Sequence, residues 1–559
     1  MRVPNDSRYT GGGAREDPAV TDGRDAALGR AVLAIVAGAV LVAAAIGVRG
    51  EFALSDDASY AFTTRTLCET STWRFLPWSA PSLVVQAAYG AVLCHVFGFS
   101  FTVLRASTVV LGVTGVIGFW LLLRRLGVRG ALLGLATALL AFNPLYLNLA
   151  FTFMTDVPFV VLLIWAALAY ADGLADRRAG RLLQGALLAS AALLVRQHGI
   201  LIAGAAAVAA LTTRAWPLRE RSKAAAVALA LPAATFVAYH LWIVGSAGVP
   251  VGYESRLGQL RAVSVATVVN CGFRGLCYLG LFALPLAASA WRTERRVALA
   301  ATAAMTLLAA ALFVRERALM FYLTNVLYDF GVGALTLRDT LFLGLPPPVR
   351  LGAALTVPLT AAALAGAGLL VAAWWSALRR SAAPAAVFVH LSAAFFFGAT
   401  LLQARYYLDR HLLMATPFVL AAVLVASPPR RPSRVAVVLV ALLAWWSVAG
   451  THDYLAWNRA RHDGLEALRA AGVPPTQIDG GVEFNAWYLA PELGTWPTDA
   501  EARSGQPATV RSWWWVVDDR WVASFRPLDG YVVRDRRAYR RWLVPGTGEV
   551  LILERAASS

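Results

Sequence analysis

Residues 51–66, EFALSDDASYAFTTRT, follow a long apolar run at 29–49 and contain two adjacent carboxylates, Asp56 and Asp57. Ionisable groups close to hydrocarbon are costly unless they serve a purpose, so the acidic pair is a candidate functional site. The aromatic and hydroxyl residues that follow, beginning with Tyr60, suit a helix at a membrane interface. A solvated loop that happens to carry two aspartates is the alternative, and the rest of the chain must decide between them.

The composition of the whole chain is that of a membrane protein. It has 559 residues, of which 58% are hydrophobic and only 15% charged, whereas soluble domains are about a quarter charged. Apolar runs of about twenty residues alternate with short arginine-bearing loops, which predicts an all-α polytopic membrane protein. The net charge of +17 is mostly arginine in these loops. Positive-inside topology explains that placement, so no nucleic-acid partner is expected.

The arginines also predict the orientation. Arg24 and Arg30 flank the first apolar run and place the N-terminus in the cytoplasm, so Asp56 and Asp57 lie on the opposite side. The marginal stretch 81–98 fits the other arginines best when it lies in the outer interface without crossing. Hydropathy then predicts about thirteen membrane-spanning helices, at 29–49, 101–123, 131–150, 157–175, 182–196, 199–213, 223–246, 271–290, 297–314, 351–376, 386–404, 411–427 and 434–450.

Composition divides the chain into three parts. Residues 1–28 are polar and read as a disordered cytoplasmic tail. Residues 29–450 form the predicted transmembrane domain. Residues 451–559 have mixed charge, turn signals and short apolar runs, which predicts a small extracytoplasmic α/β domain that starts with a helix near 458–470. We therefore expect a multi-pass protein of the plasma (inner) membrane with its C-terminal domain outside.

This topology brings polar groups from distant parts of the chain to the outer side. They lie in the first outer loop (51–100), near the second large outer loop (315–350) and at helix ends. Arginine matches phosphate bidentately, and a carboxylate near an acceptor hydroxyl can act as a general base. The groups therefore predict a site for an anionic lipid and a polar acceptor. The candidate residues are Asp56, Asp57, Tyr60, Arg105, Asp156, His198, Arg405, Tyr406 and Arg410.

Structural roles are the alternative for several of these residues. Arg105 and Arg405 can be helix-end arginines that reach to lipid headgroups. Asp156 precedes Val157 and Pro158 and can be an N-cap. His198 suits a structural polar group better than a base. An N-cap needs one carboxylate rather than two, so the acidic pair is the sharper signal.

The four cysteines, Cys68, Cys94, Cys271 and Cys277, show no metal-ligand spacing. We expect buried free thiols. A Cys68–Cys94 disulfide outside the membrane is the alternative.

Several short motifs follow one another along the chain. They are the acidic pair followed by Tyr60, Pro77-Trp-Ser-Ala-Pro-Ser-Leu83, Val103-Leu-Arg105, Thr155-Asp-Val-Pro158, and Arg405-Tyr406 with Pro417. In these motifs and their order the chain resembles the GT-C glycosyltransferases of the protein O-mannosyltransferase family (glycosyltransferase family 39), which includes the bacterial lipid A aminoarabinose transferases and the rhizobial lipopolysaccharide sugar transferases. The likeness covers about residues 29–450.

The resemblance implies a GT-C fold and transfer of a sugar from a polyprenyl-phosphate carrier to a glycan, lipid or protein acceptor outside the cytoplasm. Asp56 would be the general base of an inverting displacement, with Asp57 at a position where the family often has glutamate. Asp156 would line the site, and Arg105 and Arg405 would contact the carrier phosphate or the loop carboxylates. The choice of Asp56 or Asp57 as base stays open.

No covalently bound cofactor is expected. A divalent-metal requirement stays open, with Asp56 and Asp156 as the carboxylates that would hold the ion. Two other classes of function compete with the transferase. A polytopic transporter or flippase would show midplane charges and symmetric halves, and a non-catalytic membrane scaffold would tolerate replacement of the acidic pair.

Overall fold

The structure is a computed structural model that describes residues 18–247, 249–250, 252, 263–288, 294–316, 324–380, 383–403, 407–426, 431–493, 516 and 518–556. Most of the predicted tail, residues 1–17, lies outside these ranges, as do the predicted site residues Arg405 and Tyr406. The first helix begins at Pro18, earlier than the predicted boundary at 29.

The described residues are mainly helical. In chain order the helices are α1 (Pro18–Ile46), α2 (Asp57–Thr70), α3 (Val84–Phe97), α4 (Phe101–Arg125), α5 (Gly130–Ala141), α6 (Pro144–Ala150), α7 (Asp156–Asp176), α8 (Ala179–Leu193), α9 (Ile200–Thr212), α10 (Leu218–Trp242), α11 (Val265–Ala287), α12 (Arg295–Glu316), α13 (Arg338–Leu341), α14 (Ala353–Arg380), α15 (Pro384–Leu402), α16 (Thr416–Ala426), α17 (Arg434–Ala470) and α18 (Val482–Leu493). A π-helical turn, Ile243–Ala247, continues α10, and 3₁₀ turns lie at Gln197–Gly199, Asp409–Met414 and Pro475–Gln477.

Within the described ranges, nine helices are long and apolar enough to cross a membrane, or ten if the bent pair α5 and α6 is one span. The prediction of an all-α polytopic membrane protein is therefore confirmed. The predicted spans 182–196, 199–213 and 411–427 correspond to the shorter helices α8, α9 and α16. Helix α3 has only 14 residues, fewer than the roughly 20 that a span needs.

The bend between α5 and α6 has a local cause. Pro144 is the first residue of α6 and has no N–H to continue the α5 ladder. Asn143 caps the new helix, because its Oδ1 accepts a hydrogen bond of 3.0 Å from the backbone N–H of Leu145. The two helices meet at 57°, and α6 leads directly to the segment before α7.

The C-terminal region is attached through one continuous helix. Helix α17 has 37 residues and runs without a break from the predicted span at 434–450 through the predicted helix near 458–470. Beyond it, strands β3 (Ile478–Asp479), β4 (Trp521–Ser524), β5 (Tyr531–Arg541) and β6 (Gly546–Arg555) form a sheet in the order β3-β4-β6-β5. The β3–β4 pairing is parallel and the others are antiparallel. The second large loop contains a separate two-stranded antiparallel hairpin, formed by β1 (Leu327–Tyr328) and β2 (Gly331–Val332).

Candidate functional site

The acidic pair lies at a tight turn between α1 and α2. Ser55 adopts a left-handed backbone conformation with φ of 57°, which is uncommon for a residue other than glycine. Asp56 precedes α2 and Asp57 is its first residue. Because of the sharp turn, the two neighbouring carboxylates have different environments.

Asp57 is enclosed, with 1% of its surface exposed. Its Oδ1 accepts a hydrogen bond of 2.5 Å from the backbone N–H of Leu54, and its Oδ2 accepts one of 3.1 Å from that of Phe153. Burial raises the pKa of Asp57 to about 7, although these N–H groups and the charge of Arg105 oppose the rise. Both oxygens hold backbone together, so Asp57 joins the first loop to the segment before α7.

Asp56 is far more accessible, with 39% of its side chain exposed. Its Oδ2 accepts a hydrogen bond of 2.7 Å from Nη2 of Arg410, whose side chain is only 6% exposed. The Nε and Nη1 atoms of Arg410 are buried and have no hydrogen-bond partner among the described residues. The structure thus brings together a partly exposed carboxylate and a buried arginine, two of whose nitrogen atoms donate no hydrogen bond to the described residues.

A second carboxylate–arginine pair lies beside the first. Oδ1 of Asp156, at the start of α7, accepts a hydrogen bond of 2.9 Å from Nη1 of Arg196, and its buried Oδ2 has no partner among the described residues. Tyr60 is buried and interacts electrostatically with both pairs. Burial raises the pKa of its hydroxyl, the charges of Asp56 and Asp156 raise it further, and those of Arg410 and Arg196 oppose the rise. Five side chains from four parts of the chain therefore converge.

Asp56 lines a cleft of about 740 Å³ that opens between the first loop, the second large loop and α18. Its polar lining includes Asn325, Asp329 and Arg350 of the second loop, with Trp78 of the first. From α18 the cleft receives Val482 and Ala486. The cleft thus offers both an aromatic surface and hydrogen-bonding groups next to the Asp56 carboxylate.

Arg105, predicted to contact the carrier phosphate or the loop carboxylates, is surrounded by backbone carbonyl groups and interacts electrostatically with Asp57. It is 1% exposed, and its guanidinium donates to the carbonyl oxygens of Val48, Gly50 and Phe52 at 2.9, 3.1 and 2.9 Å. It also lies over the ring of Phe52. These contacts fix the start of the first loop.

His198 lies in the 3₁₀ turn between α8 and α9, close to Arg196. Its Nε2 is 2.9 Å from Nε2 of Gln403 at the end of α15. The turn is very tight, because a Cβ on Gly199 would lie 2.2 Å from the backbone nitrogen of Leu193. Glycine is therefore required where the chain reverses to present Arg196 to Asp156.

Three site residues were not singled out from the sequence. Arg196 belongs to the turn that contains His198, and Asp409 precedes Arg410. The buried carboxylate of Asp409 accepts from the backbone N–H groups of Val326 and Leu327, and burial raises its pKa to about 7. Glu483, in α18, contacts the first loop. Position near a span end was the available signal for Arg196 and Asp409, whereas no local pattern marks Glu483.

The described residues contain no group of three or more histidine, cysteine, aspartate or glutamate side chains that could hold a metal ion. The carboxylates predicted as metal ligands, Asp56 and Asp156, each pair with an arginine.

The cysteines differ from the expectation of four free thiols. Cys68 of α2 and Cys94 of α3 form a disulfide, with Cα atoms 6.2 Å apart. Cys271 and Cys277 are free and buried. The alternative prediction for the first pair therefore holds in the structure, and the bond joins the two helices that follow the acidic pair.

Comparison with known proteins adds a family match. Residues 84–242 match the family model described as dolichyl-phosphate-mannose-protein mannosyltransferase. The matched range contains Arg105, Asp156 and Arg196, and excludes the acidic pair and Arg410. Among curated protein sequences, none matches the chain.

Two solved structures share limited similarity with this chain. One is the oligosaccharyltransferase AglB from Archaeoglobus fulgidus, in complex with an inhibitory peptide and a dolichol-phosphate. It is 14% identical with a TM-score of 0.40, over 78% of this chain and 58% of that one, so this chain spans less than two thirds of that enzyme. The other is ArnT from Cupriavidus metallidurans bound to undecaprenyl phosphate. It is 15% identical with a TM-score of 0.40, over 94% of this chain and 98% of that one.

The fold is that of a multi-pass membrane protein with a small C-terminal strand-bearing region. Over residues 84–242 the chain is similar to the dolichyl-phosphate-mannose-protein mannosyltransferases, which confirms the family resemblance predicted from the sequence over that range.

Proposed function

We propose that this protein is a glycosyltransferase that moves a sugar from a polyprenyl-phosphate carrier to an acceptor hydroxyl, with Asp56 as the general base. The observation that carries the proposal is the position of Asp56. It is the accessible member of the acidic pair, it lines the cleft, and it is ion-paired to Arg410 beside Asp156. The family match supports sugar transfer from a lipid carrier in general.

The environments of the two aspartates favour Asp56 over Asp57. Both oxygens of Asp57 accept backbone hydrogen bonds inside the protein. Of the two carboxylate oxygens of Asp56, only Oδ2 accepts a hydrogen bond from a side chain among the described residues. Oδ1 is left for the acceptor hydroxyl. A base must come within hydrogen-bond reach of the proton it removes, and only Asp56 meets the cleft.

The proposed reaction is a single displacement. The acceptor oxygen forms a bond to the anomeric carbon while Asp56 takes the hydroxyl proton. The bond between that carbon and the phosphate oxygen breaks, and the electron pair leaves with the polyprenyl phosphate. One base is enough, because the phosphate is already a good leaving group and needs no acid to protonate it. This single step inverts the anomeric configuration, unlike the two-step retaining hydrolases.

Arg410 is the group that we propose for the carrier phosphate. Its Nη2 orients Asp56, while Nε and Nη1 have no partner among the described residues. An arginine with such donors is suited to bind the singly charged phosphodiester of the carrier and to stabilise the second negative charge that develops on the phosphate when the carrier leaves. Asp156, held by Arg196, would orient the sugar hydroxyls through its unpaired Oδ2. The divalent-metal requirement stays a question for experiment, with Asp56 and Asp156 as ligands.

The orientation belongs to the same proposal. We place the N-terminus in the cytoplasm, and we place the cleft and the C-terminal domain (451–559) outside it, in the plasma (inner) membrane. The arginine distribution in the loops supports this orientation. Labelling of single introduced cysteines at both ends of α7 with a membrane-impermeant reagent in intact cells would test it.

The proposal is tested by transfer of radiolabelled sugar from a panel of polyprenyl-phosphate sugars in membranes, with Asp56→Asn, Asp57→Asn and wild type at matched expression. Asp172→Asn is the control. Asp172 lies on the same helix as Asp156, roughly 24 Å from it along the helix axis, and it also pairs with an arginine, Arg125 of α4. We expect Asp56→Asn to lower the transfer rate roughly 10²- to 10⁴-fold and Asp172→Asn to retain it. Wild-type transfer by Asp56→Asn would refute the assignment of the base.

A further inference from the structure

A buried glutamate of the C-terminal region holds the turn that carries Asp56. We propose that Glu483 is a positioning residue for sugar transfer, so that the C-terminal region is part of the active-site structure. This inference rests on the proposed role of Asp56 and deepens it. Glu483 does not line the cleft and would act through the first loop.

The contacts of Glu483 converge from three parts of the chain. Its Oε1 accepts a hydrogen bond of 2.9 Å from the backbone N–H of Ser55, the residue before Asp56. Thr336 of the second loop donates its hydroxyl to the carboxylate at 2.7–2.8 Å. Nη1 of Arg461, on α17, donates to Oε2 at 2.7 Å. One carboxylate thus joins both loops to the C-terminal region.

The ion pair with Arg461 is almost fully buried, with 3% of the Arg461 side chain and 1% of the Glu483 side chain exposed. Burying two charges is expensive, and such a pair contributes little net stability compared with apolar packing. A neutral pair would fill the space at lower cost. The hydrogen bonds from Ser55 and Thr336 explain why the acceptor is a charged glutamate. A carboxylate makes stronger hydrogen bonds to N–H and O–H donors than a neutral group does.

The backbone at Ser55 shows why a strong acceptor is needed there. With φ of 57°, Ser55 has a conformation that costs on the order of 1 kcal/mol or more for a residue with a Cβ. The hydrogen bond from its N–H to Glu483 stabilises this conformation. The next residue is Asp56, so the turn sets the direction in which its carboxylate points.

Helix α18 is itself fixed against the same loop. Trp487 follows Glu483 by four residues and therefore lies on the same face of the helix. Its ring packs on Phe99 and Phe101, with centroids 5.5 and 4.8 Å apart. Just before the helix, Gly481 has φ of 93°, and a Cβ there would lie 3.0 Å from the carbonyl oxygen of Thr336. Glu483 therefore sits on a rigid support.

The test measures kcat and KM for the lipid-linked donor in Glu483→Gln, a nearly isosteric change. We expect kcat to fall roughly tenfold to a hundredfold, as small misplacements of a reacting group do, with KM within about a factor of two because the phosphate ligand is untouched. Asp453→Asn is the matched control. Asp453, on α17, accepts two backbone hydrogen bonds in the C-terminal region, from Trp542 and Leu543, but none from the described residues of the first loop.

A double-mutant cycle separates positioning from general stability. If Glu483 acts through Asp56, adding Glu483→Gln to Asp56→Asn will not lower the residual rate further. An equal loss in Glu483→Gln and Asp453→Asn, or unchanged kcat in Glu483→Gln, would overturn the inference while loss in Asp56→Asn still supported the proposed function. Wild-type transfer by Asp56→Asn would instead reject the proposed function itself.

Should Glu483→Gln not fold, Thr336→Val removes one of the hydrogen bonds to the same carboxylate and preserves the shape of the side chain. We expect a smaller fall in kcat with the same KM. An unchanged kcat in a folded Thr336→Val protein would count against the inference.

Discussion

Arg410 donates a hydrogen bond of 2.7 Å to Asp56, across 354 positions of the chain. Its neighbour Asp409 accepts hydrogen bonds from the backbone N–H groups of Val326 and Leu327 in the second loop. Two adjacent residues with opposite charges therefore hold the first and second loops at one place. The cleft beside Asp56 exists because these two loops meet there.

Replacement of Arg410 tests its two contacts together. We expect Arg410→Gln to reduce kcat/KM for the lipid-linked donor by a factor that corresponds to about 2–5 kcal/mol, as truncation of a buried hydrogen-bonded charge pair does. Much of the loss will be in KM if Nε and Nη1 bind the carrier phosphate. Arg125→Gln is the control, because Arg125 pairs with Asp172 and Asp176 away from the site. If Arg410→Gln and wild type had the same KM for the lipid-linked donor, Arg410 would not be the residue that binds the carrier phosphate.

Replacement of Asp57 is expected to affect stability. Asparagine can accept only one of the two hydrogen bonds that Leu54 and Phe153 donate, since its amide nitrogen would face the other N–H. We expect Asp57→Asn to lower the free energy of unfolding by about 1–3 kcal/mol, seen as a lower melting temperature in detergent. Asp56→Asn should lower the melting temperature less, because Asp56 is partly exposed and asparagine keeps an oxygen that can accept the hydrogen bond from Arg410. The reverse order of melting temperatures would contradict the division of roles between the two aspartates.

Stability should also depend on pH through Asp57. Burial raises the pKa of its carboxyl from 3.8 to about 7 in the folded protein. Between these values the folded state holds a proton that the unfolded state has lost, so the free energy of unfolding falls as the pH rises through that window. We expect the melting-temperature advantage of wild type over Asp57→Asn to shrink between about pH 4 and about pH 7. A constant advantage would show that Asp57 does not titrate there.

The Cys68–Cys94 disulfide gives a chemical test of orientation. Disulfides persist in oxidising compartments outside the cytoplasm, where we place the first loop. In protein from untreated cells, Cys68 and Cys94 should be labelled by a thiol reagent after denaturation only if a reductant is added, whereas Cys271 and Cys277 are labelled without it. Removing the bond with Cys68→Ser should cost about 3 kcal/mol from the entropy of the released loop. Labelling of all four thiols without reductant would place the loop on the cytoplasmic side.

Hydropathy and charge were sufficient to predict the membrane class and most helices, because each span shows its apolar composition locally. They also selected Asp56 and Arg410 as candidates, since the predicted topology places both on the outer side, where two adjacent carboxylates are not needed for topology. Arg105 illustrates where this reasoning ends. Its position at a helix start is compatible with a phosphate ligand, and only the folded chain shows three backbone carbonyls around its guanidinium.

Glu483 could not have been found in this way. It lies after the composition changes, in a segment with many charged residues, and its partner Ser55 is 428 positions away. A carboxylate in such a segment is normally solvated, and nothing in the neighbouring residues distinguishes a buried one. The sequence also did not show which member of the acidic pair is buried, because the left-handed turn at Ser55 that separates the environments of Asp56 and Asp57 is carried by a serine rather than by a glycine that would have marked it.

The length of helix α17 determines where its last turns contact the first loop. Its 37 residues extend roughly 55 Å, at 1.5 Å per residue, against about 30 Å for the hydrocarbon core of a bilayer. Arg459, in the part beyond the predicted span, donates to the carbonyl oxygens of Ile46, Gly47 and Arg49, and Arg461 holds Glu483. Because the helix is continuous, one residue inserted between the apolar part and Arg459 would rotate both arginines by about 100°. The number of residues in α17 therefore determines how far from the membrane span, and on which side of the helix, Arg459 and Arg461 hold the turn at Asp56.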